Sequence, residues 1–319
     1  MYNTKEIRKN AFRITKVRGQ TAMRIRVPGG HLDVKYLPLI QEIANVYGNG
    51  TVHLTSRQGF ELPGIDMKKI SEINKKIFPF LQMLNIGDEN AENGYPAAGT
   101  RNVSACIGNK VCPFANYDTT SLALRIEQEI YPNDLHLKVA ITGCPNDCIK
   151  AHMQDFGVIC MTNPLYDESR CINCNACAEN CRQKISGALY GESSVIKCHN
   201  ELCIGCGECI LKCPTAARTR SQKYYFKLLI MGRTGKKQPR LAKTFLEWAS
   251  EDVIVQVIKN TYAYVEKYID RNLPKEHIGY IFDRTGYEIF REMVLKDVKL
   301  DTETKVADSI CFQAASDKT

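Results

Sequence analysis

The 319-residue chain predicts an α+β fold, antiparallel sheets with flanking helices, into which a small cysteine-rich domain is inserted. Three observations predict it. Short apolar–polar alternations and helical apolar spacing succeed one another in the order βαββα over residues 21–77. Twelve of the fifteen cysteines fall into ordered runs between positions 106 and 213. An apolar strand and a long helix resume after residue 223.

The elements follow in order. TAMRIRV at 21–27 sets Met23, Ile25 and Val27 on one face and Arg24 and Arg26 on the other, a strand with a basic face that breaks at Pro28-Gly29-Gly30. Residues 35–47 carry Leu39, Ile40, Ile43, Ala44 and Tyr47 at helical spacing, stopped by Gly48. TVHLTSR at 51–57 alternates again, with His53, Thr55 and Arg57 opposite Val52 and Leu54. A third strand at 60–62 and a helix at 67–77 complete this half-domain, and DENAENGYPAAGT at 88–100 reads as a loop. Further on, a helix over 119–130 precedes a strand at 135–141 that runs into Gly143-Cys144-Pro145. After the insert come a strand at 224–231, the basic loop GRTGKKQPR, a helix over 251–268 with Ser250 as N-cap, and a last helix at 286–295. The expected domains are therefore 1–85, then 86–164 together with 223–319, and the insert 165–222.

With 44% hydrophobic and 24% charged residues, the chain suits two or three domains with real cores. It contains no run of about eighteen apolar residues and its start lacks the apolar stretch of a secretory signal, so a membrane protein is excluded and the cytoplasm is the expected place. In that reducing compartment, clustered thiols hold metal rather than disulfides. The net charge of +8 first suggests nucleic acid, but no basic tract is interleaved with aromatics as a stacking platform would be. Residues 167–220 carry seven basic and six acidic side chains, so the positive excess lies in the flanking domain. Small anions or an acidic partner fit it better.

Cys171, Cys174, Cys177 and Cys181 repeat 32 residues later as Cys203, Cys206, Cys209 and Cys213, the last followed by Pro214. Paired CxxC also suits tetrahedral zinc. Four cysteines in eleven residues, twice, with a closing Cys-Pro, favour two iron–sulfur cubes and hence a two-cluster ferredoxin-type insert. In this layout the fourth cysteine of each run serves the other cluster, giving Cys171, Cys174, Cys177 and Cys213 for one and Cys203, Cys206, Cys209 and Cys181 for the second. The looser set Cys106, Cys112, Cys144 and Cys148 leaves zinc or a plain third cluster open on spacing alone. Cys160, Cys198 and Cys311 lie outside the runs and are expected as buried small hydrophobes.

The stretches RNVSACIGNKVC, LKVAITGCPNDC, MRIRVPGGHLD and TSRQGFELPGI together resemble the sirohaem-dependent sulfite and nitrite reductase family, and the two-cluster insert is similar to its dissimilatory branch. The resemblance implies a [4Fe-4S] cluster on Cys106, Cys112, Cys144 and Cys148, with the Cys148 thiolate shared with the sirohaem iron. It also implies that Arg24, Thr55, Arg57 and Gln58 and the loop cations Arg233, Lys236, Lys237 and Arg240 hold the sirohaem carboxylates. Arg26, Arg101, His136 and Lys138 would face the substrate oxyanion. His136 stands where the family usually has Lys, two residues from Lys138 and so on the same face of the predicted strand; a histidine there would make turnover pH-sensitive.

The activity implied is six-electron reduction of sulfite to sulfide, with electrons entering through the insert. Nitrite reduction to ammonia, and a non-catalytic electron-transfer subunit, remain open. No GxGxxG fingerprint is present, so hydride would be taken from NAD(P)H by a separate flavin subunit and relayed by an iron–sulfur carrier subunit, as the resemblance suggests. Longer relatives carry this half-module twice. With one TSRQ and one looser cysteine set, this chain is expected to pair with itself or with a homologous half.

Overall fold

The computed structural model describes residues 11–83, 101–131, 133, 135–193, 195–235, 237–273 and 276–312; the predicted loop at 88–100 and the candidate Lys236 lie outside them. The fold is α+β and divides into two compact units, one of Met1–Ala105, Thr120–Val139 and Val257–Lys296, the other of Cys106–Thr119, Ala140–Gln256 and Asp297–Thr319.

In the first unit β1 (Phe12–Ile14), β2 (Gln20–Ile25), β3 (His53–Leu54) and β4 (Phe60–Asp66) form an antiparallel sheet in the order β1-β2-β4-β3. One face is covered by the helices Leu37–Tyr47 and Ile70–Met83, which bury Ile40, Ile43, Ile73, Ile77 and Phe80 against Met23, Ile25, Leu62 and Ile65. Strand β1 was not expected. The strand expected at 51–57 shrinks to two residues, because the Thr55 hydroxyl accepts from the Gly59 N–H at 3.0 Å and the chain turns through Gln58 at φ 64°. Strand β4 outruns its expected end at 62, since pairing with β2 continues to Gln20 opposite Asp66. The second helix passes its expected end at 77 and runs through Pro79, where burial of Phe80 and Leu81 offsets the lost hydrogen bond. A two-residue strand, β5 (Ser104–Ala105), is buried in the same unit.

The helix Thr119–Ile130 stands where the sequence set it, and so does Glu251–Tyr268, whose later part belongs to this unit. A helix at Ile278–Thr285 was not anticipated; the His277 imidazole caps it by accepting from the Gly279 N–H at 3.3 Å. It packs Phe282 against Phe290 of the helix Tyr287–Val294.

Gly29 and Gly30 take φ of 71° and 67°, and a Cβ on Gly30 would lie 2.7 Å from the Gln58 amide carbon. The glycines of the Arg-x-Arg-x-Pro-Gly-Gly signature thus make room for the glutamine of the other signature. Gly30→Ala is expected to lose about 1–3 kcal/mol of stability in urea unfolding. Gly19→Ala, at φ 83° with open space around it, should lose less.

In the second unit, β6 (Val139–Thr142), β7 (Phe156–Met161), β12 (Tyr225–Ile230), β13 (Lys243–Ala249) and β14 (Lys305–Val306) lie in the sheet order β14-β13-β12-β7-β6, with β12 antiparallel to both β7 and β13. Phe156, Val158, Cys160, Phe226, Leu228, Phe245 and Leu246 are fully buried on it. Strand β13 was not foreseen. The strand expected at 135–141 begins only at Val139, so the argument that strand alternation puts His136 and Lys138 on one face does not hold.

The insert is closed by β8 (Leu165–Tyr166) pairing antiparallel with β11 (Arg218–Thr219). Between them lie the hairpin of β9 (Leu189–Glu192) and β10 (Val195–Cys198) and two short helices, Ala176–Lys184 and Glu208–Lys212. Its core is small: Cys177, Cys181 and Cys209 pack with Ala188, Leu189 and Ile196. So few aliphatic groups hold a segment of this size weakly, and ligands bound by the cysteines would supply the missing cohesion.

Candidate anion pocket and cysteine loops

Within the first unit a cavity of about 360 Å³ is lined by Arg13, Arg24, Arg26, Arg57 and Arg101, with Glu61 as the one carboxylate on its wall. Arg13 pairs with Glu61 at 3.2 Å, and Arg24 lies 3.8 Å from it. Arg26 is 4% exposed; its Nε donates to Glu127 at 2.7 Å and its guanidinium lies 4.1 Å over the Tyr131 ring. Arg57 donates to the carbonyls of Asn102 at 3.3 Å and Val139 at 3.1 Å. Arg101 donates from Nε to His136 Nε2 at 2.9 Å. Burial, and then the neighbouring Arg24, Arg26 and Arg13, push the Arg101 guanidinium down to about 10. Crowded cations with this little opposing charge make a site that an anion relieves.

The candidates from the sequence are therefore distributed as follows. Arg24, Arg26, Thr55, Arg57 and Arg101 share one cavity. His136 reaches Arg101 but accepts on Nε2, so that nitrogen has no proton to give. Lys138 is half-buried just ahead of β6. Gln58 is taken up by main chain: its amide donates to the Ala105 carbonyl at 2.7 Å and accepts from the Ala105 N–H at 2.8 Å. Asn102, which no sequence motif singled out, donates to the carbonyls of Val27 at 2.9 Å and Arg57 at 2.6 Å and so ties the two signature segments together. Its only signal was its place beside Arg101.

The loop cations belong to the second unit and bond their own loop. Arg233 is buried and donates to the Gln238 carbonyl at 3.0 Å; Arg240 donates to Met231 at 2.9 Å and lies 3.7 Å over Phe312; Lys237 is exposed.

Also in the second unit, the looser cysteines sit on two loops stitched by main chain. The Cys106 N–H donates to the Ile141 carbonyl at 3.0 Å and the Asn116 N–H to the Gly143 carbonyl at 2.7 Å, while the Gly143 N–H points at the Cys106 sulfur at 3.1 Å. Burial, and then the sulfurs of Cys112, Cys106 and Cys148, push the Cys144 thiol up, which puts all four sulfurs within electrostatic reach. A Cβ on Gly143 would come 2.6 Å from the Ala115 Cβ, so only glycine permits this approach. Asp147, also without a sequence signal, takes φ 49° and accepts from the N–H groups of Ala151 at 2.6 Å and His152 at 3.2 Å, shaping the turn that exposes Cys148.

The two insert runs follow one path twice. Asn173 and Asn175 around Cys174 have φ of 55° and 56°; Gly205 and Gly207 around Cys206 have 67° and 76°. The second run needs glycine because a Cβ there would strike Met161 and Asn116 at 2.8 Å. Burial raises the thiols of Cys206 to about 11 and Cys209 to about 12, values that metal binding would override by displacing the proton. A cavity of about 350 Å³ lies beside Cys181, Cys203, Cys206 and Cys209. Asn116 connects the loop systems, its amide lying 3.4 Å from the Cys206 carbonyl and its Oδ1 accepting from Arg220 at 3.3 Å. Of the remaining cysteines, Cys160 is fully buried as expected, Cys198 is half-buried, and Cys311 is exposed, contrary to expectation, in the segment after β14.

These features define an iron–sulfur oxidoreductase class. Residues 97–301 match the family described as the nitrite and sulphite reductase 4Fe-4S domain, and residues 14–77 the nitrite/sulfite reductase ferredoxin-like half domain. The chain belongs to the nitrite and sulfite reductase family. It is 41% identical over 307 residues to the C-type subunit of the anaerobic sulfite reductase of Salmonella typhimurium, covering 95% of this chain and 91% of that one. The coenzyme F420-dependent sulfite reductase of Methanocaldococcus jannaschii is 30% identical over 284 residues, 88% of this chain and 43% of that one. The fold is shared with dissimilatory sulfite reductase I (TM-score 0.66, 20% identity, 92% of this chain and 74% of that one) and with Mycobacterium tuberculosis NirA (TM-score 0.61, 14% identity, 93% and 47%). Among the described residues no helix is long and apolar enough to cross a membrane.

Proposed function

We propose that the chain is the catalytic subunit of a sulfite reductase that converts sulfite to sulfide with six electrons, using sirohaem and a [4Fe-4S] cluster that share the Cys148 thiolate. The observation that carries this reading is the pocket of five arginines set against a single carboxylate, in a chain whose other unit gathers Cys106, Cys112, Cys144 and Cys148. Those donors suit a ring bearing several carboxylates and a thiolate-bound iron centre: guanidinium forks match carboxylates, and soft thiolates match iron. When bound, the coupled centre would supply electrons one at a time at the substrate sulfur.

The protein's own part is binding and charge. Arg24 and Arg57 would hold ring carboxylates, with Arg57 aimed by its bonds to Asn102 and Val139. Arg101, with Lys138, would hold the oxyanion, and His136 would orient Arg101 rather than deliver the proton. Arg26, locked by Glu127, would add fixed positive potential. The insert would hold two further [4Fe-4S] clusters, with Asn116 bridging the Cys206 loop to the loops of the coupled site. That the Salmonella relative is one subunit among several supports partner chains that supply electrons.

Counting iron, acid-labile sulfide and extractable sirohaem per chain tests this reading: about twelve cluster irons and one haem iron are expected. Three clusters without a tetrapyrrole would leave an electron-transfer subunit, and faster turnover per site on nitrite than on sulfite would make it a nitrite reductase. Sulfite at about 100 times its dissociation constant should stabilise the folded protein by about 2.7 kcal/mol, seen as a raised Tm. In Arg101→Gln most of that rise is expected to vanish, while a surface change such as Lys68→Gln should leave it intact.

A further inference from the structure

Strand β11 carries a cation that the reaction above does not use. The Arg218 side chain is 4% exposed, donates from Nη2 to the Ile196 carbonyl at 3.2 Å and lies 4.2 Å over the Tyr166 ring. Its Nε is buried without a hydrogen-bond partner, and among the described residues no carboxylate pairs with it. A guanidinium removed from water in this way is costly unless an anion lies beside it. The available anions are thiolates and what they bind. The side chain lines the cavity beside Cys181, Cys203, Cys206 and Cys209. Although burial opposes it, the Arg218 N–H and then the Thr215 hydroxyl hold the Cys213 thiol below its ordinary value. The same positive charge opposes the upward push of burial on Cys177 and Cys209.

We infer that Arg218 is a shared counter-cation for both insert clusters, its guanidinium facing the Cys181/Cys203/Cys206/Cys209 set while its main-chain N–H serves Cys213 of the other. The inference rests on the reading that the insert binds two [4Fe-4S] clusters. Each cluster gains one negative charge when a one-electron donor is oxidised and the cluster reduced. A buried fixed cation therefore favours the reduced form and raises both potentials, with no proton to lose because guanidinium stays charged. Stacking on Tyr166 and the bond to Ile196 keep the charge in place, so the residue positions potential rather than touching substrate.

The test is a dithionite redox titration of the whole protein, followed by electron paramagnetic resonance, for wild type, Arg218→Gln and Arg218→Lys, with the exposed Lys197→Gln as a charge control. In Arg218→Gln the reduced-to-oxidised ratio of both insert clusters at fixed potential should fall at least tenfold, about 59 mV for one electron. The signal of the third cluster should stay put, and Lys should restore most of the shift. Unchanged insert potentials in Gln, or an equal shift in Lys197→Gln, would overturn the inference. If Gln fails to assemble clusters, the Lys variant decides: retention of the insert irons supports a counter-cation, whereas their loss with charge preserved overturns it. Wild-type protein lacking iron in the insert would instead overturn the cluster reading on which the inference rests.

Discussion

Cys148→Ser is expected to abolish sulfite reduction and lower the iron count from about twelve to about eight cluster irons per chain, leaving the insert clusters in place. The size of the effect follows from the double duty proposed for this sulfur. One substitution removes both a cube ligand and the link to the tetrapyrrole, and a serine oxygen is a poor replacement for a thiolate on iron. Cys148 is exposed at the end of the Asp147 turn, so the change leaves no cavity in a core. The far-ultraviolet circular dichroism of the variant should match wild type. Cys160→Ser gives the opposite pattern. That thiol is 0% exposed and belongs to no run, so an added hydroxyl there should cost about 1–3 kcal/mol in urea unfolding while every iron remains. Full sulfite turnover in Cys148→Ser would remove the shared-thiolate reading.

The largest effect on stability is expected at Glu127. Its carboxylate meets Arg26 inside the first unit, both side chains 4% exposed, and burial pushes the carboxyl up against the opposing pull of Arg26. Glu127→Gln leaves a buried guanidinium without its counter-charge and should cost about 3–5 kcal/mol. Changing both partners, Arg26→Met with Glu127→Leu, should cost much less, because no buried charge is then left alone. A double-mutant cycle in urea provides the measurement. If Glu127→Gln unfolds at the wild-type midpoint, the pair does not hold this unit together. The double variant should also bind sulfite less well than wild type even where it is stable, since Arg26 contributes to the pocket's positive potential.

Much of the chain was legible because its signals are local. Metal-ligand spacing is a short-range property: Cys171 to Cys181 and Cys203 to Cys213 can be read without knowing what lies around them, and so can the amphipathic helices at 119–130 and 251–268. The strand at 225–230 was legible for the same reason, as a bounded apolar run. Strand β13 was missed because its alternation is interrupted where its pairing with β12 shifts register. The span at 51–57 misled in the other direction. Its alternation is real, but a hydroxyl bond from Thr55 turns the chain before the strand can continue.

Family resemblance and spacing named the cations, whereas the roles of several of them depend on partners far away in sequence. Arg26 meets Glu127 across 101 residues, Arg57 meets Val139 across 82, and Gln58 meets Ala105 across 47. No periodicity encodes such meetings. The same holds for Arg218, an unremarkable residue after a Cys-Pro until the hairpin at Ile196 and the ring of Tyr166 enclose it.

The order of residues by itself determined which chemistry the chain can host, since thiols at fixed short intervals and guanidinium-bearing signatures are chemical facts before any folding occurs. Only the tertiary structure decided which arginines face a cavity, which are neutralised and which are buried alone. Solvation and Coulomb energies depend on distance and exclusion of water, and these are set when remote segments pack together.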